Sequence, residues 1–173
     1  MRPALQTRVL AAFVCALAAG SVVAATAQTT FTVTASVAAN CTISAVAINL
    51  GSYDPIVTNA AVPAVNTGSV TIACTKGSGP SIGLNPGSNG GKVAGVTRAM
   101  AAGTNYLGYE LYQPSAAPGN GGVWTDIGGA NALNAGVSPS KASRTFTVSA
   151  SVPGGQDVAV GTYSDTITAT VNF

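Results

Sequence analysis

Cysteine is the residue type whose number and spacing in this sequence point to a definite reaction. Cys41 and Cys74 remain once an N-terminal segment that contains Cys15 is set aside. An even pair of cysteines in an exported protein predicts a disulfide. Closing a loop of about 33 residues in this way stabilises a fold by roughly 3–4 kcal/mol. A zinc site would need more ligands, and the chain has no histidine, so the disulfide is favoured.

Side chains suited to catalysis are scarce. Without histidine, neither a Ser-His-Asp nor a Cys-His arrangement can be built. The carboxylates lie beside turn or strand-edge residues and form no evident pair, so a glycosidase-like dyad stays a minor alternative. These carboxylates are Asp54, Glu110, Asp126, Asp157 and Asp165. We therefore predict that the protein is not an enzyme and needs no cofactor and no catalytic metal.

The N-terminal residues 1–27 have the pattern of a signal peptide. Two arginines accompany an apolar run from Val9 to Ala19, and Ala25-Thr26-Ala27 matches the A-x-A cleavage pattern. Cleavage is expected before Gln28, with a cut after Ala25 as the less favoured alternative. The apolar run is too short for a comfortable membrane span. The mature chain is therefore expected to be exported and released, without membrane insertion.

Charge in the mature chain is balanced. Two of the seven Lys and Arg residues lie in the signal segment, which leaves five against five Asp and Glu residues. A net charge of about zero removes the electrostatic case for binding nucleic acid or an anionic membrane. A charge-poor surface rich in Thr, Ser, Ala and Gly suits a tightly assembled extracellular polymer.

Alternation of apolar and polar residues predicts an all-β chain. Short alternating segments separated by turn residues favour a β-sandwich, and no segment of the mature chain has a convincing helical period. Six strands are predicted, at 41–50, 69–75, 81–85, 105–113, 144–152 and 161–173. The apolar positions of the first strand shift from odd to even numbers at Ile48. Asp165 is the one charge on the apolar side of the last strand, and we expect it to bond to a nearby turn.

A further alternating segment precedes the first of these strands. Residues 30–37 read TFTVTASV and are almost repeated as TFTVSASV at 145–152. A strand with an exposed apolar face and two free backbone edges needs a sheet to join. An immunoglobulin-like sandwich has seven strands, so the count suggests a body with one strand missing and a spare strand in front. The predicted division is an extension at 28–40 and a sandwich domain at 41–173.

Several motifs together resemble the spore coat protein U domain, a family that includes pilin subunits of archaic chaperone–usher pili of the Csu type. The motifs are FTVTASVAANCTIS, NLGSYDP, SVTIACT, YELYQ and the terminal GTYSDTITATVNF. The resemblance covers essentially all of 28–173. One departure is Trp124-Thr125, where the family commonly has Trp-Gly. Trp124 itself is interpreted as a core or loop anchor.

The resemblance implies an incomplete immunoglobulin-like β-sandwich of six strands whose final strand is missing, with an N-terminal donor-strand extension. In such families a periplasmic chaperone first lends a strand, and the extension of the next pilin subunit replaces it at an outer-membrane usher. The implied function is that of a structural pilus subunit at the cell surface, with roles in adhesion and biofilm formation. Main-shaft and minor adaptor roles both stay open.

The same resemblance assigns roles to residues on both sides of the subunit junction. The donor strand would present its odd-numbered side chains to the neighbouring subunit. These donor residues are Phe31, Val33, Ala35 and Val37. The acceptor groove of the neighbour would be formed by apolar residues of its first and last strands. These acceptor residues are Ile43, Ile167, Ala169, Val171 and Phe173.

The alternative is a secreted, self-complete coat or binding protein whose N-terminal strand folds back onto its own domain. Such a protein would be monomeric, and its loops would bind a ligand. The link Ala38–Asn40 has only three residues, which permits a tight return beside the very next strand but no longer crossing. Assembly between subunits is therefore the favoured hypothesis.

Overall fold

A computed structural model describes residues 23–114 and 122–173. The apolar run predicted as part of a signal peptide, at 9–19, lies outside the described residues. The chain divides into two units, Met1–Ser36 and Val37–Phe173. Within the first unit, residues 23–36 have no regular secondary structure and their side chains are exposed. The predicted boundaries at 27 and 40 stay predictions.

The described residues form eight strands and no helix, which confirms the all-β class. The strands are β1 Cys41–Val46, β2 Ala64–Cys74, β3 Ser81–Leu84, β4 Arg98–Ala102, β5 Asn105–Tyr112, β6 Leu133–Asn134, β7 Arg144–Val152 and β8 Ala169–Asn172. They make a five-stranded sheet in the order β1-β2-β7-β5-β4 and a three-stranded sheet in the order β6-β3-β8. Every paired neighbour is antiparallel. In the described part of the chain, no helix is long and apolar enough to span a membrane.

Six strands were expected from the sequence, and the two additional ones, β4 and β6, lie in stretches that were expected to be loops. β4 reads RAMAA, and a short run of alanine with a charged residue carries little intrinsic strand signal. It is a strand because it pairs with β5 from Arg98↔Tyr109 to Ala102↔Asn105. β2 also begins earlier than expected, at Ala64, where it pairs with the end of β7. The extents of β2, β4 and β6 therefore depend on pairing with other strands and not on the local sequence.

The predicted alternation of the last strand is confirmed in its burial, although its ladder is shorter than expected. From Tyr163 to Asn172 the odd-numbered side chains are half-buried and the even-numbered ones are exposed. Regular pairing with β3 covers only Ala169–Asn172. The earlier part has one β-bridge, between Ser164 and Ala101 of β4, and a backbone hydrogen bond from Asn85 to Thr168. The last strand therefore contacts β4 of the five-stranded sheet at its start and β3 of the three-stranded sheet at its end.

The parity shift after β1 is also confirmed, and Gly68 makes room for it. Ile48 and Leu50 are half-buried, whereas Ala47 and Asn49 are exposed. A Cβ added at position 68 would lie 2.5 Å from the carbonyl oxygen of Val46 and 2.6 Å from Cγ1 of Ile48. The absence of a side chain at Gly68 therefore lets the chain cross β2 closely and turn Ile48 inward.

We expect Gly68→Val to destabilise the domain by about 1–3 kcal/mol, because the added atoms would meet backbone that cannot move freely. A higher strand propensity for valine offsets at most about 1 kcal/mol of this loss. Urea denaturation checks the prediction, with Thr67→Val as the matched control on the exposed face of β2. Equal midpoints for the two variants would contradict it.

The predicted disulfide between Cys41 and Cys74 is present. The two cysteines face each other in the β1–β2 ladder, and their sulfur atoms are 2.06 Å apart. One residue further, the amide of Thr75 donates to the carbonyl of Asn40 at 2.8 Å. The start of the domain is therefore fixed to β2 covalently and by hydrogen bonding.

A buried ion pair lies within the five-stranded sheet, and its arginine also bonds to β3 of the other sheet. Arg98 of β4 lies 3.4 Å from the carboxylate of Glu110 of β5, and its side chain is 1% exposed. Its guanidinium also donates to the carbonyls of Leu84 at 2.7 Å, Trp124 at 2.6 Å and Asn85 at 3.0 Å. Burial lowers the pKa of Arg98, and the charge of Glu110 opposes that effect. One cation therefore donates to three backbone carbonyls and pairs with one carboxylate.

Trp124 is fully buried, as its interpretation as an anchor predicted. Its indole Nε1–H donates to the carbonyl of Ile82 in β3 at 2.8 Å. Its own amide donates to the carbonyl of Leu111 in β5 at 2.7 Å. Trp124 thus joins strands of both sheets around one core.

Candidate functional site

An open groove lies between the segment that follows β1 and the last strand. Residues 45–48 and Leu50 line one side and residues 163–167 and Ala169 line the other, around a cavity of about 480 Å³. Its floor is made by apolar side chains of strands from both sheets. These floor residues are Val70, Leu84, Met100, Leu111, Val148 and Ala150. The site is therefore an apolar trough directly over the core.

The trough continues into a second cavity of about 700 Å³. Residues 48–55 and 158–163 are among those that line this section. Ile48, Leu50 and Tyr163 line both cavities. The two cavities thus form one long groove beside the last strand, and we refer to them together as the groove.

Backbone groups along the groove have the arrangement of a free strand edge. Ser164 exchanges two hydrogen bonds with Ala101, of 2.9 and 3.1 Å, and the carbonyl of Thr168 accepts from the amide of Asn85 at 3.1 Å. Successive residues of a strand direct their backbone groups to opposite edges. Asp165 and Ile167 therefore direct theirs to the groove. Within 23–114 and 122–173, no hydrogen-bond partner is present for these backbone groups.

On the opposite side of the groove, the pairing between β1 and β2 ends before the groove does. The β1–β2 ladder stops at Val46↔Ser69. Beyond it, no backbone hydrogen bond to another described residue is present for Ala47 or Ile48. An added strand could therefore pair with backbone along the groove while its inward side chains reached the apolar floor.

The predicted donor residues are exposed. Phe31 is 86% exposed and Val33 is 82% exposed, and Ala35 and Val37 are also exposed. Residues 30–37 have no regular secondary structure. Large apolar side chains alternating along an exposed segment are unusual unless a partner covers them. Their role as a donor strand stays a prediction.

The predicted acceptor residues occupy different positions around the groove. Ile167 and Ala169 line it. Ile43 and Val171 are partly buried against the core but do not line either cavity. Phe173 is 52% exposed at the end of the chain. The structure brings Ile167 and Ala169 together at the groove, and contact of any of the five with a donor strand stays a prediction.

Sequence reasoning missed the floor of the groove. Leu111 and Val148 lie on strands whose alternation was recognised, but alternation does not identify which other segment covers an apolar face. Met100 lies on β4, whose sequence gave no strand signal. One signal was available: Tyr109 and Leu111 alternate on the same face of an aromatic strand. This alternation indicates a buried face but does not indicate which segments pack against it.

Asp165 makes the bond to a nearby turn that was expected, and it also belongs to the groove. Its Oδ1 accepts from the amide of Ser88 at 2.9 Å, the side chain of Asn89 at 3.3 Å and the amide of Thr166 at 2.9 Å. Its Oδ2 accepts from the hydroxyl of Tyr109 at 2.8 Å. Burial, together with the hydrogen bond to Asp165, raises the pKa of Tyr109 well above its usual range, so the tyrosine remains a donor.

The described residues hold no group of three or more His, Cys, Asp or Glu side chains that could bind a metal ion. Asp54, at the far section of the groove, accepts from the amides of Ile56 and Val57. These backbone hydrogen bonds lower the pKa of Asp54. Its carboxylate thus closes a local turn.

The family model of the Spore Coat Protein U domain matches residues 27–170. Protein U of Myxococcus xanthus is 34% identical over 161 residues, which cover 87% of this chain and 87% of that protein. The family match therefore extends over nearly the whole of the predicted mature chain.

Two solved structures are similar at lower identity. One is the CsuC–CsuE chaperone–tip adhesion subunit pre-assembly complex from archaic chaperone-usher Csu pili of Acinetobacter baumannii, with 22% identity and a TM-score of 0.48. That match covers 79% of this chain but only 40% of the matched chain. The other is HdaB, the minor tip subunit of the E. coli Hda pilus, with 18% identity, a TM-score of 0.33 and coverage of 76% and 79%. On the family match over 27–170 and the relationship to Protein U, this chain belongs to the spore coat protein U domain family.

Proposed function

We propose that this chain is the structural subunit of a chaperone–usher pilus and that it polymerises by donor-strand exchange. In this proposal residues 30–37 of one copy occupy the groove of the next copy. The observation that carries the proposal is the groove itself, an apolar trough with unpaired backbone along it. The same chain supplies an exposed segment with matching alternation.

The energetics favour such an occupant. Each large apolar side chain that moves from water into the groove contributes roughly 1.5–3 kcal/mol. Pairing with the backbone of Asp165 and Ile167 would give a strand addition, in which main-chain bonds supply affinity and alternate side chains supply specificity. Side chains alternate between the two faces of a strand, so a shift of the donor by one residue would turn Phe31 and Val33 away from the groove. Only shifts by an even number of residues keep them pointing inward.

The remaining partners follow from the same groove and from the resemblance to archaic pilins. An open apolar groove promotes aggregation, so a subunit in transit needs a protein that covers it. We assign that role to a periplasmic chaperone, and release at the cell surface to an outer-membrane usher. Identical or related pilins are the partners in the fibre, and adhesion and biofilm formation are the proposed roles of the pilus.

A peptide-complementation experiment tests the proposal. The acceptor is the mature chain with Phe31→Asp and Val33→Asp, whose own extension can no longer fill a groove. A synthetic peptide of residues 30–37 should raise its melting temperature by on the order of 10 °C at saturation, since it binds only the folded state. Differential scanning calorimetry gives the shift.

The control peptide carries the same two aspartates and should give no shift. Absence of any shift with the TFTVTASV peptide at millimolar concentration would reject donor-strand assembly. A monodisperse wild-type mature chain whose melting temperature is unaffected by the peptide would favour the self-complete coat or binding protein.

A further inference from the structure

The geometry points to Asp165 as the residue that sets the register of the inserted strand, by requiring the small side chain of Ala35 opposite it. This inference rests on the proposed donor-strand function and specifies how one register is selected. Selection is needed because Phe31, Val33 and Val37 are all apolar. Sliding the donor by two residues would keep every apolar side chain facing inward.

Asp165 interrupts an otherwise uncharged part of the groove. It stands between Tyr163 and Ile167 on the inward side of the last strand, and all three line the cavity of about 480 Å³. Among the described residues that line this cavity, Asp165 is the one with a charged side chain. An inserted strand beside the last strand must therefore place one inward side chain next to it.

The carboxylate cannot move away to admit a larger side chain. Four donors hold it, from Ser88, Asn89, Thr166 and Tyr109. It also packs against the backbone of Gly87, where an added Cβ would lie only 2.0 Å from Oδ2. Tyr109 is itself buried at the floor of the groove. The carboxylate of Asp165 is therefore a fixed charged group among the uncharged residues of this part of the groove.

Ala35 is the small side chain among the four on the inward side of the donor segment. With Ala35 opposite Asp165, the larger side chains fall on the apolar sections to either side. A slip by two residues brings Val33 or Val37 against the carboxylate. That contact would crowd a fixed group and cover its remaining polar surface with methyl groups. This pairing defines the register whichever way the strand runs.

A double-mutant cycle between peptide and groove tests the pairing. The acceptor is again the mature chain with Phe31→Asp and Val33→Asp, and peptide affinity is measured by fluorescence anisotropy. We expect Ala35→Leu in the peptide to weaken binding about tenfold or more, because it overpacks the site at Asp165. With Asp165→Ala in the acceptor, the same peptide should regain most of that loss.

Two controls separate register selection from general crowding. Val33→Leu in the peptide enlarges a neighbouring position and should weaken binding by less than about threefold, with no recovery from Asp165→Ala. Tyr109→Phe in the acceptor keeps the carboxylate but removes one of its restraints, so it should reduce the Ala35→Leu penalty partially. This second acceptor also gives a result if Asp165→Ala does not fold.

The outcomes distinguish the two proposals. Failure of the wild-type peptide to bind any acceptor would overturn donor-strand assembly and the register inference with it. Binding of the wild-type and Ala35→Leu peptides with equal affinity would overturn the register inference alone. Equal penalties for Ala35→Leu in the Asp165, Asp165→Ala and Tyr109→Phe acceptors would do the same.

Discussion

Cells that express only the Phe31→Asp variant are expected to display no pili, while the variant itself folds and remains soluble in the periplasm with its chaperone. In the proposed assembly the substitution places an unpaired carboxylate in the apolar groove of the next subunit. That burial costs several kcal/mol at every junction of the fibre. Val33→Asp should have the same effect, and electron microscopy with quantification of sheared surface protein measures both.

Ser36→Asp is the matched control for this experiment. It adds the same charge to the same segment but lies on the opposite side of the alternation, so assembly should be nearly normal. Pili in normal amount and length from the Phe31→Asp strain would reject residues 30–37 as the donor strand. Loss of monomer stability in Phe31→Asp, with no polymer formed by the wild type, would instead indicate a strand that folds back on its own domain.

Arg98→Met is expected to destabilise the domain by roughly 3–5 kcal/mol, because it leaves the carboxylate of Glu110 buried without its counter-charge. It also removes the donor to the carbonyls of Leu84 and Trp124, which lie in the interior. A loss of this size is a large share of the stability of a typical domain. Chemical denaturation of the mature chain, complemented with the donor peptide, measures it.

Arg144→Met is the control, since Arg144 also donates to backbone carbonyls but is only partly buried. Its loss should be about 1 kcal/mol or less, because water can replace the missing donor. Replacing Glu110 by Gln in the Arg98→Met variant should recover part of the stability, since the uncompensated charge is then gone. Equal midpoints for Arg98→Met and Arg144→Met would contradict the stabilising role of the buried arginine.

The sequence by itself determined the class of fold, the disulfide and the family. Strict alternation from Tyr163 to Asn172 correctly identified the inward side chains, because a strand has a period of two wherever it lies. Cys41 and Cys74 were the one pair available in the predicted mature chain. The parity shift at Ile48 was visible in the sequence, and so was the alternation of residues 30–37.

Tertiary structure alone decided which strands pair and what the groove contains. β4 has no strand signal of its own and exists because β5 supplies its hydrogen bonds, so Met100 and Arg98 could not be placed from sequence. The contact between Tyr109 and Asp165 joins positions 56 residues apart. Alternation states which face of a strand is apolar, but the segment that covers that face comes from elsewhere in the chain. Local pattern carries no information about that partner, because pairing is chosen by the packing of all the strands at once.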